Sequence, residues 1–215
     1  MRLQLIDILA GHALVVLELL GTAAFAFSGV LSAMRKQMDM VGIVVCGFLA
    51  AFGGGTLRDV LIDRRPFFWV EHQSVLVAVL LLCVVCASFF KQQHLERGQT
   101  LWQIPDAVGL GLFCATGVHL SVSAGQPPLV AMMMGVITGT FGGVLRDVVC
   151  NEVPRLFNDH RPYAVCALAG AVAHWALGLV DVPAWAPITA CAVLTTGLRV
   201  LTLWLDWRLP STRRA

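Results

Sequence analysis

The sequence predicts an all-α integral membrane protein: seven transmembrane helices, laid out as two inverted three-helix repeats plus a seventh helix. Three observations carry this expectation. Of the 215 residues, 58% are hydrophobic and only 13% charged, and the mean hydropathy is +0.79; a soluble domain, with about a quarter of its residues charged, is far from this composition. The apolar residues gather into seven runs, each near the roughly 20 residues that a helix needs to cross a bilayer. Finally, Gly54-Gly55-Thr56-Leu57-Arg58-Asp59-Val60 returns as Gly142-Gly143-Val144-Leu145-Arg146-Asp147-Val148, an offset of 88 (146 − 58).

The spans fall at roughly 13–34, 40–62, 73–90, 104–122, 128–150, 162–180 and 184–206. Charges or breakers divide them in turn: Arg35-Lys36, Arg64-Arg65-Pro66, Lys91 to Arg97, Gly125-Gln126-Pro127-Pro128, Asn151 to Arg161, and Asp181-Val182-Pro183. Ala24-Phe25-Ala26 resembles a signal-peptidase site, but the apolar run continues to Met34 and has an internal counterpart, so span 1 reads as a permanent helix. With the C-terminus inside, the inner loops hold Arg35, Lys36, Lys91, Arg97, Arg155, Arg161, Arg208, Arg213 and Arg214, and the outer ones only Arg2, Arg64 and Arg65. The positive-inside rule thus selects a cell (inner) membrane orientation with the N-terminus outside and the C-terminus cytoplasmic. Trp69, Trp102, Trp185, Trp204 and Trp207 fall near span ends, as interfacial anchors do.

Without gaps, the same offset of 88 pairs Gly21 with Gly109, Phe25 with Phe113, Gly29 with Gly117, Gly47 with Gly135, Pro66 with Pro154 and His72 with His160. It sets Glu18 opposite Asp106. A single membrane domain over 1–215 therefore holds repeat one at 14–92, repeat two at 102–180 and an unpartnered span at 184–206. Three is an odd number of crossings, so the second copy is inverted relative to the first, the arrangement whose interrupted helices bracket a site near the bilayer midplane.

The glycines and the charges inside the spans are the candidate functional residues. Gly53-Gly54-Gly55 lies within span 2 and Gly142-Gly143 within span 5, and adjacent glycines weaken a helix by about 1 kcal/mol each relative to alanine. One reading is a broken helix whose carbonyls face a permeation path. The other is close packing, because Gly47, Ala51 and Gly55, and likewise Gly135, Gly139 and Gly143, form ridges of small residues at i, i+4. Arg58-Asp59 and Arg146-Asp147 are intramembrane charges, for which function is the default and snorkelling to the headgroups the alternative. Arg58 lies about 10 Å from the middle of its span, and Arg146 a similar distance on the other side, so a ladder of charges flanking a constriction fits better than direct cross-pairing. Glu18 and Asp106 either draw cations to the two mouths or, for Asp106 after Pro105, cap a helix. Ser28 and Thr116 share spans with helix-spaced glycines and are candidate lining residues, whereas Phe25 and Phe113 suit core packing.

Several functions are disfavoured. Fifteen Lys and Arg against thirteen Asp and Glu leave +2, too little to neutralise a nucleic-acid backbone. No G-K-[ST] follows the glycines, so a nucleotide loop is excluded. The histidines lack metal-ligand spacing and no nucleophile–base pair stands out, so neither a metal, a cofactor nor an enzyme is expected. Cys83-x-x-Cys86 lies in an apolar run where cysteines behave as small hydrophobes.

At Gly53-Gly-Gly-Thr-Leu-Arg-Asp59 and Gly142-Gly-Val-Leu-Arg-Asp147, within two three-span repeats and a seventh span, the chain resembles prokaryotic members of the trimeric intracellular cation channel family. The resemblance covers residues 14 to about 206. It implies a homotrimer in the lipid membrane with one pore per protomer, lined by kinked spans 2 and 5 and passing monovalent cations such as K⁺ and Na⁺. It implies pore positions at Gly53, Gly54, Gly55, Arg58, Asp59, Gly142, Gly143, Arg146 and Asp147. Phe141 stands where the first motif has Gly53, which implies a milder break in span 5. Similar bacterial proteins carry a second proposal, transport of glycine or a small neutral amino acid. The half-helix dipole beside Arg58 suits a substrate carboxylate.

Overall fold

The structure, a computed structural model, describes residues 2–89 and 103–208, with side chains from residue 13 onward. Lys91, Arg97, Trp102, Arg213 and Arg214, and the side chain of Arg2, lie outside the described residues. The described elements are helices: α1 (Arg2–Arg35), α2 (Met40–Leu61), α3 (Phe68–Glu71), α4 (Gln73–Phe89), α5 (Gln103–Ser123), α6 (Pro128–Val149), α7 (Arg155–Asn158), α8 (Ala164–Gly178) and α9 (Trp185–Trp204).

Local chemistry sets the ends. The Asp39 carboxylate accepts from the amide of Gly42 at 2.8 Å and caps α2, and Pro128, with no amide to leave unpaired, opens α6. The loop before α2 turns through Gln37 (φ 56°) and the loop before α6 through Gly125 (φ 76°). Past the other end of each helix, Asp63 and Asn151 both adopt φ 53°. Both pairs of positions are again 88 apart, so the backbone repeats as the sequence does.

Part of α1 (Ala13–Arg35), α2, α5, α6 and α9 are long and apolar enough to cross a membrane, whereas α4 and α8 have 17 and 15 residues. Span 6, expected from residue 162, starts as helix only at Ala164. Pro162 has no amide to donate to a helix, and its carbonyl accepts instead from Arg199 Nη1 at 3.1 Å. The 15 residues of α8 rise about 22 Å, less than the roughly 30 Å of hydrocarbon. The short α3 and α7 lay outside the sequence reading.

The largest departure from expectation is at the glycines. Both α2 and α6 run unbroken through Gly53–Gly55 and Gly142–Gly143, so the anticipated helix break is absent and the packing reading holds. The helices cross antiparallel with their backbones touching. A Cβ on Gly54 would come well under 3.0 Å from the carbonyl oxygen of Thr138, and one on Gly142 equally close to that of Ala50. Between apolar helices in lipid, this close approach is the main source of association, whereas a break would strand backbone groups without water. The two contacts exchange under the offset, since 50 and 138, and 54 and 142, are equivalent positions. The same holds where α1 meets α5: Phe25 stacks on its equivalent Phe113 at 5.4 Å between ring centroids. Gly21 makes room for Phe113, and Gly109 for Phe25. An apolar cluster built mainly from α1, α2 and α4 includes Ala26, Val30, Phe52 and Cys83. One from α5, α8 and α9 includes Leu110, Ala167 and Ile188. Phe25, Ala50 and Phe113 form a third. Trp185, Trp204 and Trp207 are largely exposed as anchors would be, whereas Trp69 donates from Nε1 to Thr56 at 3.1 Å.

Candidate functional site: two buried arginine clusters

Arg58 and Arg146 are both fully buried, 0% exposed. Neither snorkels. A guanidinium held out of water must be matched by carboxylates, because an unpaired buried charge costs several kcal/mol, and each repeat supplies its own.

In the first cluster, Arg58 Nε donates to Asp59 Oδ1 at 2.8 Å, and Nη2 lies 2.6 Å from Glu18 Oε1 on α1. Arg64, one-third exposed, brings Nη1 to 3.6 Å from both carboxylates. The other oxygen of Asp59 accepts from the amide of Phe68, at the start of α3, at 3.4 Å. In the second cluster, Arg146 Nε donates to Asp147 Oδ1 at 2.8 Å, and Nη1 donates to Asp106 on α5 and to Ser28 Oγ on α1 at 2.6 Å. Asp147 Oδ2 accepts from the amide of Arg155, at the start of α7, at 2.9 Å. Each aspartate thus joins a buried arginine to the short helix that follows. Gly55 leaves space beside its guanidinium, since a Cβ there would stand 3.9 Å from Arg58 Nη2, whereas a Cβ on Gly143 would come within 3.1 Å of the Tyr163 hydroxyl and 3.6 Å of Arg146 Nη2.

The contact pairs centre the crossing near residue 52 of α2 and residue 140 of α6. Arg58 and Arg146 each lie six residues beyond it, about 9 Å in opposite directions along antiparallel helices. The expected absence of Arg58–Asp147 pairing follows. Glu18 and Asp106 differ from the expectation of mouth residues: at 3% and 1% exposure they are internal counter-ions, drawn in because the arginines need them.

The clusters are not identical. Ser28 bonds Arg146, but its equivalent Thr116 donates to the carbonyl of Phe113 at 3.3 Å. Arg58 Nη1 and the neighbouring Thr22 Oγ1 are buried with no hydrogen-bond partner among the described residues. Between Glu18, Thr22, Gly55, Arg58, Trp69 and Phe113 lies a cavity of about 10 Å³, barely room for one water. Gly53 packs against the Leu145 side chain.

Sequence reasoning missed Arg199 on α9. Its side chain is buried, Nη2 donates to Asp159 Oδ2 at 2.8 Å, and its guanidinium carbon lies 4.7 Å from the ring centroid of Tyr163. The signal was present, since a lone arginine inside an apolar span is a functional candidate by default.

Fold and site together define a polytopic helical membrane protein whose sequence repeats a glycine and Arg-Asp motif, with a buried, charge-compensated arginine in each copy of the motif. The family model described as Glycine transporter matches twice, over residues 15–91 and 103–178, and the two matches begin 88 residues apart. The inner membrane protein YadS of Escherichia coli, a UPF0126 protein, is 36% identical over 197 residues, covering 91% of this chain and 94% of YadS. The TRIC trimeric intracellular cation channel orthologue from Rhodobacter sphaeroides superposes with a TM-score of 0.81 at 34% identity, over 91% of this chain and 99% of its own. A second TRIC cation channel, solved to explain conductance, gives a TM-score of 0.82 at 30% identity, over 93% and 97%. The chain belongs to the Glycine transporter family, the same family as these UPF0126 and TRIC proteins, as the doubled glycine and Arg-Asp motifs implied.

Proposed function

We propose that the protein is a monovalent cation channel for K⁺ and Na⁺, a homotrimer in the inner membrane with one pathway per protomer between α2 and α6. The observation that carries this reading is the pair of compensated charge clusters on either side of the α2–α6 crossing, in a chain 30–34% identical to TRIC channels along nearly its whole length. Seven spans in two inverted repeats, over 14–92 and 102–180, and a seventh at 184–206, put the clusters at opposite depths. The N-terminus is then outside and the C-terminus cytoplasmic. Contacts that exchange under the offset of 88 support the two-fold relation.

With backbones touching at Gly54 and Gly142, this arrangement is closed to ions. Conduction requires α2 and α6 to part at the crossing. Glu18, Asp59, Asp106 and Asp147 then supply oxygen ligands at two depths. Arg58 and Arg146 keep each site near neutral, so that a cation enters without being trapped. Gly53, Gly55, Gly143, Ser28 and Thr116 line or flank that route.

A second reading is transport of glycine or a small neutral amino acid. Nη1 of Arg58, beside Thr22 and without a hydrogen-bond partner among the described residues, favours it, because a buried guanidinium donor suits a carboxylate. The test is one preparation of protein in liposomes, measured for K⁺ flux and for labelled glycine uptake. K⁺ flux without saturable glycine uptake supports the channel; saturable, competable glycine uptake without K⁺ flux replaces it with the transporter.

A further inference from the structure

Four of the seven cysteines, Cys46, Cys83, Cys86 and Cys150, share the apolar cluster around α1, α2 and α4, and nothing in the proposed route uses them. Two are in contact. Cys46 Sγ, six residues into α2, lies 3.7 Å from Cys150 Sγ at the C-terminal cap of α6. Cys46 Sγ is also 4.0 Å from the carbonyl oxygen of Arg146. The pair therefore spans the two helices that cross at Gly54 and Gly142, within one turn of the second arginine cluster.

We propose that Cys46 and Cys150 are an oxidisable dithiol that crosslinks α2 to α6. A disulfide needs the sulfurs at about 2.05 Å, so they must approach by roughly 1.6 Å, within the reach of side-chain rotation. Both thiols are buried, Cys46 at 0% and Cys150 at 3% exposure, but Cys150 caps a helix end that lies close to water. Two residues beyond Cys150, Glu152 pairs with Lys36 at 2.8 Å with both side chains about two-fifths exposed, which marks this end of α6 as wet. Cys114 and Cys191 provide the contrast. They are 3.8 Å apart between α5 and α9 and equally buried, but neither lies at a helix end, and the Cys114 thiol donates to the carbonyl of Ala167 at 3.2 Å.

With hydrogen peroxide as the oxidant, the Cys150 thiolate attacks one peroxide oxygen and the O–O bond breaks. This leaves a sulfenic acid and a hydroxide, which takes the thiol proton as water. The Cys46 sulfur then attacks the sulfenic sulfur, the S–O bond breaks, and a second water leaves. Two thiols are oxidised to one disulfide and one peroxide is reduced to two waters. A dithiol reductant reverses the crosslink by exchange.

The experiment treats the protein in lipid nanodiscs with hydrogen peroxide, denatures it, labels free thiols with N-ethylmaleimide and reads the intact mass and the linked peptides. The expected labelling falls from seven thiols to five, with a Cys46–Cys150 linked peptide, and dithiothreitol restores seven. Seven labels after peroxide, oxygen added without a crosslink, or a link between other cysteines would each overturn the proposal. The wild-type chain suffices for this readout, and Cys46→Ser should abolish the linked peptide. A parallel K⁺ flux measurement in liposomes rests on the channel reading: the crosslink should lower flux several-fold, reversibly. A mapped crosslink with unchanged flux contradicts the pathway between α2 and α6 and leaves the dithiol standing.

Discussion

Gly54→Ala tests the close crossing of α2 and α6 more sharply than any larger substitution. The added Cβ would come well under 3.0 Å from the Thr138 carbonyl oxygen, which belongs to the α6 backbone and cannot rotate away. The helices must separate, and such overpacking costs about 1–3 kcal/mol. Gly55→Ala, one residue on, meets nothing nearer than Arg58 Nη2 at 3.9 Å, and replacing a helical glycine by alanine there stabilises by up to about 1 kcal/mol. The two variants should thus differ by roughly 1–4 kcal/mol, in opposite directions from wild type. Gly142→Ala, against the Ala50 carbonyl, should match Gly54→Ala. The double variant should cost less than twice as much, since one separation relieves both contacts. Reversible unfolding in mixed micelles, followed by circular dichroism, measures all four. Equal losses at Gly54 and Gly55 would refute the packing argument and restore a role for glycine flexibility.

The same assay checks the clusters. Asp106→Ala removes a buried counter-ion from Arg146 and should cost about 3–5 kcal/mol, with Asp106→Asn recovering part of it because its amide oxygen still accepts. Ser28→Ala deletes a hydrogen bond to a charged group and should cost about 1.5–3 kcal/mol, against about 0.5–1.5 for Thr116→Ala, which loses only a bond within its own helix. Outside the spans, the hydrogen bond from Lys36 holds the Glu152 carboxyl below its ordinary value, although burial opposes this. A depressed acid adds stability above its unfolded value and loses it as the pH falls through the folded one. Because the pair is partly exposed, the effect should stay under about 1 kcal/mol; melting curves of wild type and Glu152→Gln, compared at neutral and acid pH, should converge on acidification.

Much of this was legible in the sequence because lipid imposes simple rules. Apolar run length located the helices, five of them long enough to cross a membrane, and α2 and α6 end within a residue of their expected bounds. Because the repeat is ungapped, the offset that aligns the Arg-Asp motifs also aligns Phe25 with Phe113 and the contacts at Gly54 and Gly142. What the sequence left open was which of two uses a glycine serves. Adjacent glycines weaken a helix and also permit close approach, and only the carbonyls of Thr138 and Ala50 on the facing helices decide for the second. Glu18 was misread for a related reason. Its position near the start of an apolar run suggests a mouth, but its partner Arg58 is 40 residues away in sequence. The aspartates' second role, bonding the amides of Phe68 and Arg155, was hidden because α3 and α7 are too short to show periodicity.

The central claim, that cations cross this protein, is tested most directly by the reversal potential of unitary currents in planar bilayers under a tenfold KCl gradient. A cation channel reverses close to the K⁺ equilibrium potential, about 59 mV in magnitude. Stepwise currents reversing there would support the channel; reversal at the Cl⁻ potential, or no unitary current in a preparation that accumulates glycine, would contradict it.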